Sequence, residues 1–339
     1  MSWLRSRPFA VSVAAAALLL AISILVGCAR ASADRTRATT ARAIPPAKRA
    51  TFRGLIAYTA KGGSLWLMNG DGTHRRRLTR AGSGGVDFDP SFAPNGRRIV
   101  FRTSRGSYIR DPNGTGVEGI FVIDIATRRE RQIQPRTGGM FPDWSPRGSE
   151  IVFSGLRRGQ SYATLFLVSP AGGKPRDLGL QMGAECGTFS PDGEWIAFCS
   201  HGPDGTDEWS VWVVRRDGSD LRRLTHGQAG NGPFGSGGDH PSVWSRDGKR
   251  ILYSGQVDGE REMFSIKLDG GDAQQLTHWP AGGDDPEAVL PDGRIVFAHF
   301  FGDAPLPRFY VVNPDGSKIE ALPWLHDAGA GDPTAWWWR

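Results

Sequence analysis

The chain of 339 residues has 46 glycines, 23 prolines and an apolar fraction of 39%, a composition typical of a globular protein rich in turns. Residues 1–53 hold nine Lys or Arg and one acid, whereas the remaining residues hold 32 basic and 34 acidic side chains. The net charge of +6 therefore belongs to the N-terminal segment. A basic surface for nucleic acid is not expected, and we predict no nucleic-acid partner.

Residues 1–27 have the features of an export signal. Arg5 and Arg7 precede an apolar run from Val11 to Val26, and small residues follow it. A charged start, a short apolar stretch and small residues at its end are typical of segments that direct export. The apolar run is shorter than the roughly 20 residues that span a bilayer, although a retained membrane anchor is a second interpretation.

The tetrad from Leu25 to Cys28 resembles the bacterial lipobox, in which the cysteine becomes the lipidated N-terminus. We therefore predict a lipid on Cys28 and attachment to a membrane of the cell envelope, in the periplasm or on the outer cell surface. A plain secretory signal cut near Ala31 or Ala33 is the alternative. Residues 28–52 are rich in Ala, Arg and Thr, cannot bury a core, and are predicted to form a flexible basic tether.

Residues 53–339 contain a repeated pair of strands. In the copy CGTFSPDGEWIAFCS (186–200), two short β-strands flank a reverse turn at Ser190-Pro191-Asp192-Gly193. The same phrase recurs four more times, as SFAPNGRRIVF, DWSPRGSEIVF, VWSRDGKRILY and AVLPDGRIVF. The turn glycines lie 45 to 55 residues apart, and a repeat of this length built from strand pairs is typical of a β-propeller.

A second phrase, an apolar strand followed by a turn and a short strand, occurs six times. The missing sixth copy of the first phrase is supplied by the two ends of the segment. Ile56-Ala57-Tyr58 matches a second strand, and Asp332 to Trp336 matches an inner strand. We therefore predict an all-β, six-bladed propeller of four-stranded blades, closed by the C-terminal strand joining the N-terminal blade.

Cys186 and Cys199 are the cysteines left if Cys28 carries a lipid. With Asp192-Gly193 as a two-residue loop they lie opposite each other on neighbouring strands, within reach of a disulfide. A disulfide is our prediction for an exported protein. Two reduced, buried thiols are the alternative.

The loops that enter the inner strands and leave the second strands gather on one face, because all repeats of a propeller point the same way. Acidic and histidine side chains concentrate in these loops. The predicted binding face comprises Asp89, Glu185, His201, His226, Asp239, His240, His278, Asp285, His299, His326 and Asp332. Three interpretations stay open: a divalent-cation site at the channel mouth, acid–base chemistry on a carbohydrate, and ordinary polar loops. No local catalytic motif favours an enzyme, and no cofactor is predicted.

The copies Phe189-Ser190-Pro191-Asp192-Gly193 and Trp144-Ser145-Pro146, each followed by Ile-x-Phe and later Leu-Thr, resemble the WD40-like repeat of TolB-type propellers. That repeat also occurs beside the peptidase domain of prolyl oligopeptidases and in oligogalacturonate lyases. A TolB protein carries an extra N-terminal domain and is soluble in the periplasm, whereas here a tether precedes the repeats. The lyases use metal-binding histidines on the funnel face, and His240 is the position that would have that role.

The resemblance implies a non-catalytic scaffold of the cell envelope, monomeric and lipid-anchored, that binds an envelope protein or peptide at the loop-rich face. The alternative is a metal-dependent polysaccharide lyase, or another sugar-active enzyme, that uses the same face.

Overall fold

The computed structural model describes residues 54–338 except for 61, 83, 106–108, 111–115, 118, 135–137, 158, 204–208, 228–239, 280–281, 302–303 and 305. The predicted signal, Cys28 and the predicted tether lie outside the described residues. Within the described part of the chain, no helix is long and apolar enough to cross a membrane.

The reverse turns that the sequence predicts are present. In the copy at 190–193, the Gly193 amide donates to the Ser190 carbonyl at 2.8 Å, and Gly193 has a φ of +72°. The Asp192 carboxylate accepts from the Glu194 amide at 2.9 Å. Glycine and aspartate are needed here because the turn requires a left-handed residue and a local acceptor.

The described chain forms 26 strands and one short helix. Numbered along the chain, they are β1 (Gly54–Ala60), β2 (Leu65–Asn69), β3 (Arg76–Arg77), β4 (Asp87–Phe92), β5 (Arg98–Thr103), β6 (Ile109–Arg110), β7 (Gly116–Val117), β8 (Gly119–Asp124), β9 (Glu130–Gln134), β10 (Met140–Trp144), β11 (Ile151–Leu156), β12 (Ala163–Val168), β13 (Arg176–Asp177), β14 (Glu185–Phe189), β15 (Trp195–Ser200), β16 (Ser210–Arg215), β17 (Arg222–Arg223), β18 (His240–Trp244), β19 (Arg250–Val257), β20 (Glu260–Lys267), β21 (Gln274–Gln275), β22 (Gly283–Val289), β23 (Ile295–Phe300), β24 (Arg308–Val312), β25 (Glu320–Ala321), α1 (Pro323–Asp327) and β26 (Ala330–Trp338).

Four antiparallel sheets of four strands are separate blades. Blade 1 has the order β26-β1-β2-β3, blade 2 β4-β5-β8-β9, blade 3 β10-β11-β12-β13, and blade 4 β14-β15-β16-β17. The pair β6-β7 forms a small ribbon in the connection between β5 and β8. The strands of the last two repeats, β18 to β25, form one eight-stranded sheet.

The prediction of six four-stranded blades is therefore wrong, because the described chain has four such blades and one continuous eight-stranded sheet. The two halves of that sheet are joined by a parallel pairing of β20 with β22, Arg261 opposite Gly283. The physical reason is strand length. β19 and β20 have eight residues each and are linked by the tight turn Asp258-Gly259, whose residues both have positive φ. The extended hairpin carries β20 far enough to meet the next inner strand.

The last strand pairs with the first, as the sequence predicts. β26 runs antiparallel to β1, with Leu55 opposite Trp337 and Ile56 opposite Trp336. The Trp337 indole Nε1 also donates to the Pro94 carbonyl of the neighbouring blade at 3.0 Å. Blade 1 is thus assembled from residues far apart along the chain, which leaves no unpaired inner edge there.

The core lies between successive sheets. The aromatic residue of each second strand is buried: Tyr58, Phe101, Phe153, Phe198, Tyr253 and Phe297. Burial of one such side chain stabilises the fold by about 1.5–3 kcal/mol. These repeated contacts hold the sheets face to face and set the positions of the inner-strand ends, where the predicted binding residues lie.

Candidate functional site

The inner strands of blades 2, 3 and 4 begin with a bulge. Asp89, Phe141 and Cys186 have φ of +50°, +50° and +57°, and the strand register shifts at each of them. A non-glycine residue in this conformation costs about 1–3 kcal/mol. The repetition of the bulge in three blades re-aims the side chains at the start of each inner strand.

The pairing register places these strand starts beside the ends of the second strands. Asp87 lies opposite Thr103, Glu185 opposite Cys199, and Asp284 opposite His299. The predicted acidic residues of the inner strands therefore share one edge of the sheets. This is the edge that the sequence assigns to the binding face.

Arg102 forms the centre of one group on this edge. Its Nε lies 2.7 Å from Asp89 Oδ2, and its guanidinium carbon lies 4.0 Å from the centre of the Phe88 ring and 5.1 Å from that of Phe141. The arginine is 17% exposed and Asp89 only 7%. A guanidinium held by a carboxylate and by two aromatic faces is fixed in orientation before any ligand arrives.

Glu185 and His201 lie in the field of this group. Burial raises the pKa of Glu185 above its ordinary value, and the positive charges of His201 and Arg102 lower it in part. The His201 ring lies 4.0 Å from the Trp209 ring, centre to centre. Burial is the largest of these effects, so the folded environment favours the protonated form of Glu185.

A second pair lies on the eight-stranded sheet. Arg261 Nη2 is 3.1 Å from Asp285 Oδ1, and the Ser254 hydroxyl donates to the same oxygen. Both charged side chains are 18% exposed. We call Asp89, Arg102, Glu185, His201, Arg261 and Asp285 together the charged edge.

Two further carboxylates, the buried Asp87 and the half-buried Asp143, connect strands. Asp87 accepts hydrogen bonds from Thr79 Oγ1 at 2.5 Å, Thr103 Oγ1 at 2.6 Å and Arg105 Nε at 2.7 Å. Asp143 accepts from Ser91 Oγ and from the Phe189 amide, and so links three inner strands. These groups hold neighbouring blades together, because a buried carboxylate is stable only when its oxygens are hydrogen-bonded.

His299 is enclosed and does not face the charged edge. Its Nδ1 lies 2.6 Å from Asp284 Oδ1, and neither side chain is exposed. Its ring stacks on Trp279 at 4.3 Å. Burial raises the pKa of Asp284, while hydrogen bonds from His299 and Thr277 lower it. In the eight-stranded sheet, the Asp284–His299 pair takes the place of the contact between Asp87 and Thr103 in blade 2.

The remaining predicted residues divide into two groups. His226, His278 and His326 are exposed and follow the outermost strands β17, β21 and β25, away from the inner strands. Asp239 lies outside the described residues, and for His240 and Asp332 the structure describes only the backbone, in β18 and β26. Within the described residues, no three His, Cys, Asp or Glu side chains form a group that could hold a metal ion.

Cys186 and Cys199 are both free thiols in the structure, so the expected disulfide is not formed there. The bulge at Cys186 shifts the register and places Glu185, not Cys186, opposite Cys199. The Cys199 thiol instead donates a hydrogen bond to the Glu185 carbonyl at 3.4 Å. Burial raises the pKa of the Cys199 thiol well above its ordinary value, and its neighbour Cys186 adds to this shift.

Comparison with known proteins agrees with this architecture. The family described as "PD40: TolB beta propeller domain" matches residues 113–336, which is more than half of the chain. The chain belongs to this TolB beta propeller family. The Tol-Pal system protein TolB of Anaeromyxobacter dehalogenans is 34% identical over 136 residues, which cover 35% of this chain and 29% of that protein. The chain thus spans less than a third of the length of these curated TolB relatives.

Two solved structures have the same fold. TolB from Acinetobacter baumannii superposes with a TM-score of 0.64 at 18% identity, covering 84% of this chain and 67% of that one. An oligogalacturonate lyase in complex with manganese superposes with a TM-score of 0.53 at 19% identity, covering 76% of this chain and 69% of that one. At these identities the likeness concerns the propeller fold alone.

Within this propeller, the two arginines of the charged edge are the residues that sequence reasoning missed. The other repeats carry a small residue where Arg102 stands: Thr59, Ser154, Cys199, Ser254 and Ala298. A large charged residue at a position of small residues was the available signal. Arg261 gave a weaker signal, since its strand is longer than those of the other repeats.

Proposed function

We propose that the protein is a non-catalytic binding scaffold of the cell envelope, which binds a protein or peptide partner at the charged edge. The observation that carries the proposal is the seating of Arg102 on Asp89 between the Phe88 and Phe141 rings. This side chain is fixed and partly accessible at the end of an inner strand. Such a group can recognise a partner without first being ordered.

The chemistry of the charged edge suits a peptide. Two arginine–aspartate pairs, a half-buried glutamate and the aromatic rings of Phe141 and Trp209 offer donors, acceptors and apolar contact together. Fixed aromatic and arginine side chains are the groups that contribute most to protein interfaces. Each arginine is already paired with an aspartate, so the charges of these pairs are balanced. A partner would therefore be recognised through specific hydrogen bonds rather than through non-specific ionic attraction.

The cellular setting follows from two resemblances. The relatives are TolB proteins of a Tol-Pal system, and Leu25 to Cys28 resembles a lipobox. We therefore assign the propeller to the extracytoplasmic side of a membrane, attached through a lipid on Cys28 and the segment 28–52. It acts as a monomer and requires no cofactor for binding.

Photo-crosslinking with the full chain in envelope preparations tests the proposal. A photoreactive amino acid replaces Phe141 or His201 on the charged edge, and Arg246 or Lys318 as controls. The control residues are exposed and lie in turns at the other end of the sheets. We expect one discrete adduct from the two edge positions, absent from both controls.

Arg102→Gln is the matched test of specificity, since it removes the charge and the guanidinium but keeps an N–H donor on a shorter side chain. The adduct should weaken on the order of tenfold or more in this variant, as expected for loss of a buried charged contact. Equal adducts from edge and control positions, or an adduct indifferent to Arg102→Gln, would count against binding at this edge.

A further inference from the structure

The outermost strand of blade 1 presents two arginines without partners. Arg76 and Arg77 form β3, and both are exposed. Arg80 follows them, and Arg128 and Arg129 lie in the turn between β8 and β9 of blade 2, all three exposed. Among the described residues, none of these five guanidinium groups has an ion pair or hydrogen bond. We call the five the arginine rim.

The two parts of the arginine rim adjoin each other. Leu78, which follows Arg77, and Ile125, which precedes the turn of blade 2, pack in one hydrophobic cluster. The equivalent contact between blades 3 and 4 brings Gly218 so close to the Leu178 carbonyl oxygen that a Cβ at this position would lie 2.6 Å from it. The outer strand of one blade therefore lies against the turn of the next, which places the two groups of arginines on adjacent blades.

An internal comparison shows that free arginines are not a necessity of this strand. Blade 4 has the same Arg-Arg pair in β17, at Arg222 and Arg223, and both are half-buried. Arg222 Nε lies 3.3 Å from Asp220, and its guanidinium carbon lies 4.6 Å from the Trp195 ring centre. Arg223 donates to the Thr225 carbonyl at 2.8 Å and to Ser210 Oγ at 2.9 Å.

Blade 1 lacks this neutralising carboxylate. His74 occupies the place of Asp220, two residues before the arginine pair, and the two residues share a positive φ of +54° and +53°. The nearby acids Asp71 and Asp124 are engaged in their own turns, where they accept hydrogen bonds from Thr73 and Thr127. The charge of the arginine rim is thus left uncompensated on an outward surface.

Protection of the sheet edge is the simplest competing explanation, since charged residues on edge strands prevent edge-to-edge association. The other outermost strands do without free arginines. β21 is Gln274-Gln275, and β25 is Glu320-Ala321. Edge protection therefore does not require five unpaired arginines clustered on two adjacent blades.

We propose that the arginine rim binds the anionic headgroups of a phospholipid membrane and so orients the propeller on the surface to which the chain is attached. The chain enters blade 1 directly from residues 1–53, which hold nine Lys or Arg, one acid and the apolar run Val11 to Val26. Three members of the arginine rim, Arg76, Arg77 and Arg80, thus lie in or just after the outermost strand of the blade that follows this basic segment in the sequence. Lys and Arg near an anionic bilayer are attracted to its surface within about a Debye length. The orienting role rests on the membrane attachment of the proposed function, whereas headgroup binding is tested by itself at a surface other than the charged edge.

Hydrogen exchange of the full chain on vesicles tests the proposal. Vesicles of phosphatidylcholine alone are compared with vesicles that also contain phosphatidylglycerol. We expect exchange to slow at residues 74–80 and 124–131 only with phosphatidylglycerol, and to recover at about 1 M salt, where the Debye length is about 3 Å. Residues 216–223 of blade 4 serve as the internal reference and should not change.

The triple variant Arg76→Gln, Arg77→Gln, Arg128→Gln should lose this protection, with exchange returning to the rate on phosphatidylcholine. The control variant Lys174→Gln, Arg246→Gln, Lys318→Gln removes the same charge from exposed positions elsewhere and should keep it. Circular dichroism checks that both variants are folded.

Protection that is equal on both vesicles, or that survives the triple variant, would overturn the proposal. Aggregation of the triple variant without any lipid-dependent change would assign the arginines to edge protection. Arginine-dependent protection by an oligonucleotide but not by phosphatidylglycerol would assign them to nucleic acid and also overturn the proposal. Crosslinking from Phe141 and His201 reports on the proposed function independently, so failure of one proposal is distinguishable from failure of the other.

Discussion

Glu185 and Asp272 are carboxylates whose environments act on them in opposite directions. Burial raises the pKa of Glu185, so ionisation of Glu185 destabilises the folded state. Hydrogen bonds from Arg250, Lys267 and Gln274 lower the pKa of the exposed Asp272 to about 2. The pH dependence of the two contributions must therefore have opposite sign.

Glu185→Gln should raise the free energy of unfolding at pH 7, because the glutamate contributes its stability only when protonated. That contribution is complete below the unfolded pKa of 4.5 and is lost as pH rises through the raised folded value. The advantage of the glutamine variant should therefore shrink as pH falls to about 4. Urea unfolding at pH values from about 4 to about 8 measures this difference.

Asp272→Asn is the matched control. Its folded pKa lies below the unfolded value of 3.8, so its stabilisation is present at neutral pH and fades as pH falls towards about 2. The asparagine variant should be the less stable one at pH 7. A glutamine variant at position 185 that is less stable than the parent at pH 7 would show that Arg102 and His201 outweigh burial there.

Strand β26 links the two ends of the described chain. It pairs along β1 from Gly54 to Ala60, and Trp337 reaches the turn of blade 2 through Pro94. The Thr334 amide also donates to the buried Glu287 at 2.6 Å. One strand therefore joins blade 1 to both of its neighbours.

Deletion of residues 330–339 should remove cooperative folding, because blade 1 loses its inner strand and the apolar faces beside it are exposed. Net stability is usually only about 5–15 kcal/mol, so the deletion of buried side chains together with the pairing partner of β1 should abolish the cooperative transition, which is the readout. Near-UV circular dichroism and limited proteolysis report it. Deletion of Arg339 alone is the control and should change neither. A cooperative melt after the larger deletion would show that β26 is dispensable.

The local elements could be predicted from the sequence because their causes are local. The Pro-Asp-Gly turns and the buried aromatic of each second strand depend on neighbours within about ten residues. The single eight-stranded sheet could not be predicted from the sequence, because it depends on how far the β19–β20 hairpin extends towards β22. The bulges at Asp89, Phe141 and Cys186 were likewise not predicted. The strand register at Cys199 was therefore predicted wrongly.

The candidate site was predicted in position more than in composition. The repeat predicts the edge at which Asp89, Glu185 and Asp285 gather. The arginines that pair with Asp89 and Asp285 lie on other strands, and the repeat does not predict them. The sequence predicted His299 on the binding face. In the structure its side chain is buried against Asp284, because the neighbouring Gly282 leaves room for the imidazole ring. Burial of a single side chain is a tertiary property that strand periodicity does not show.

At the scale of the whole molecule, two acidic side chains of the predicted face are paired with arginine. Asp89 is paired with Arg102, and Asp285 with Arg261. A divalent cation at either carboxylate would have to displace the paired guanidinium. At Asp89, the displaced Arg102 would also lose its contacts with Phe88 and Phe141. The charge balance therefore favours a partner that engages both signs over one that needs free carboxylates.

Elemental analysis of the purified full chain, together with melting in the presence and absence of a chelator, should show no stoichiometric transition metal and no change in Tm. Arg102→Ala serves as the comparison, because it removes the guanidinium paired with Asp89 and should make the Tm more sensitive to an added divalent cation. A stoichiometric metal in the parent chain, whose removal lowers its Tm, would contradict the scaffold. That result would direct attention to His240 and to the sugar-cleaving alternative, since it would require ligands beyond the paired carboxylates of the charged edge.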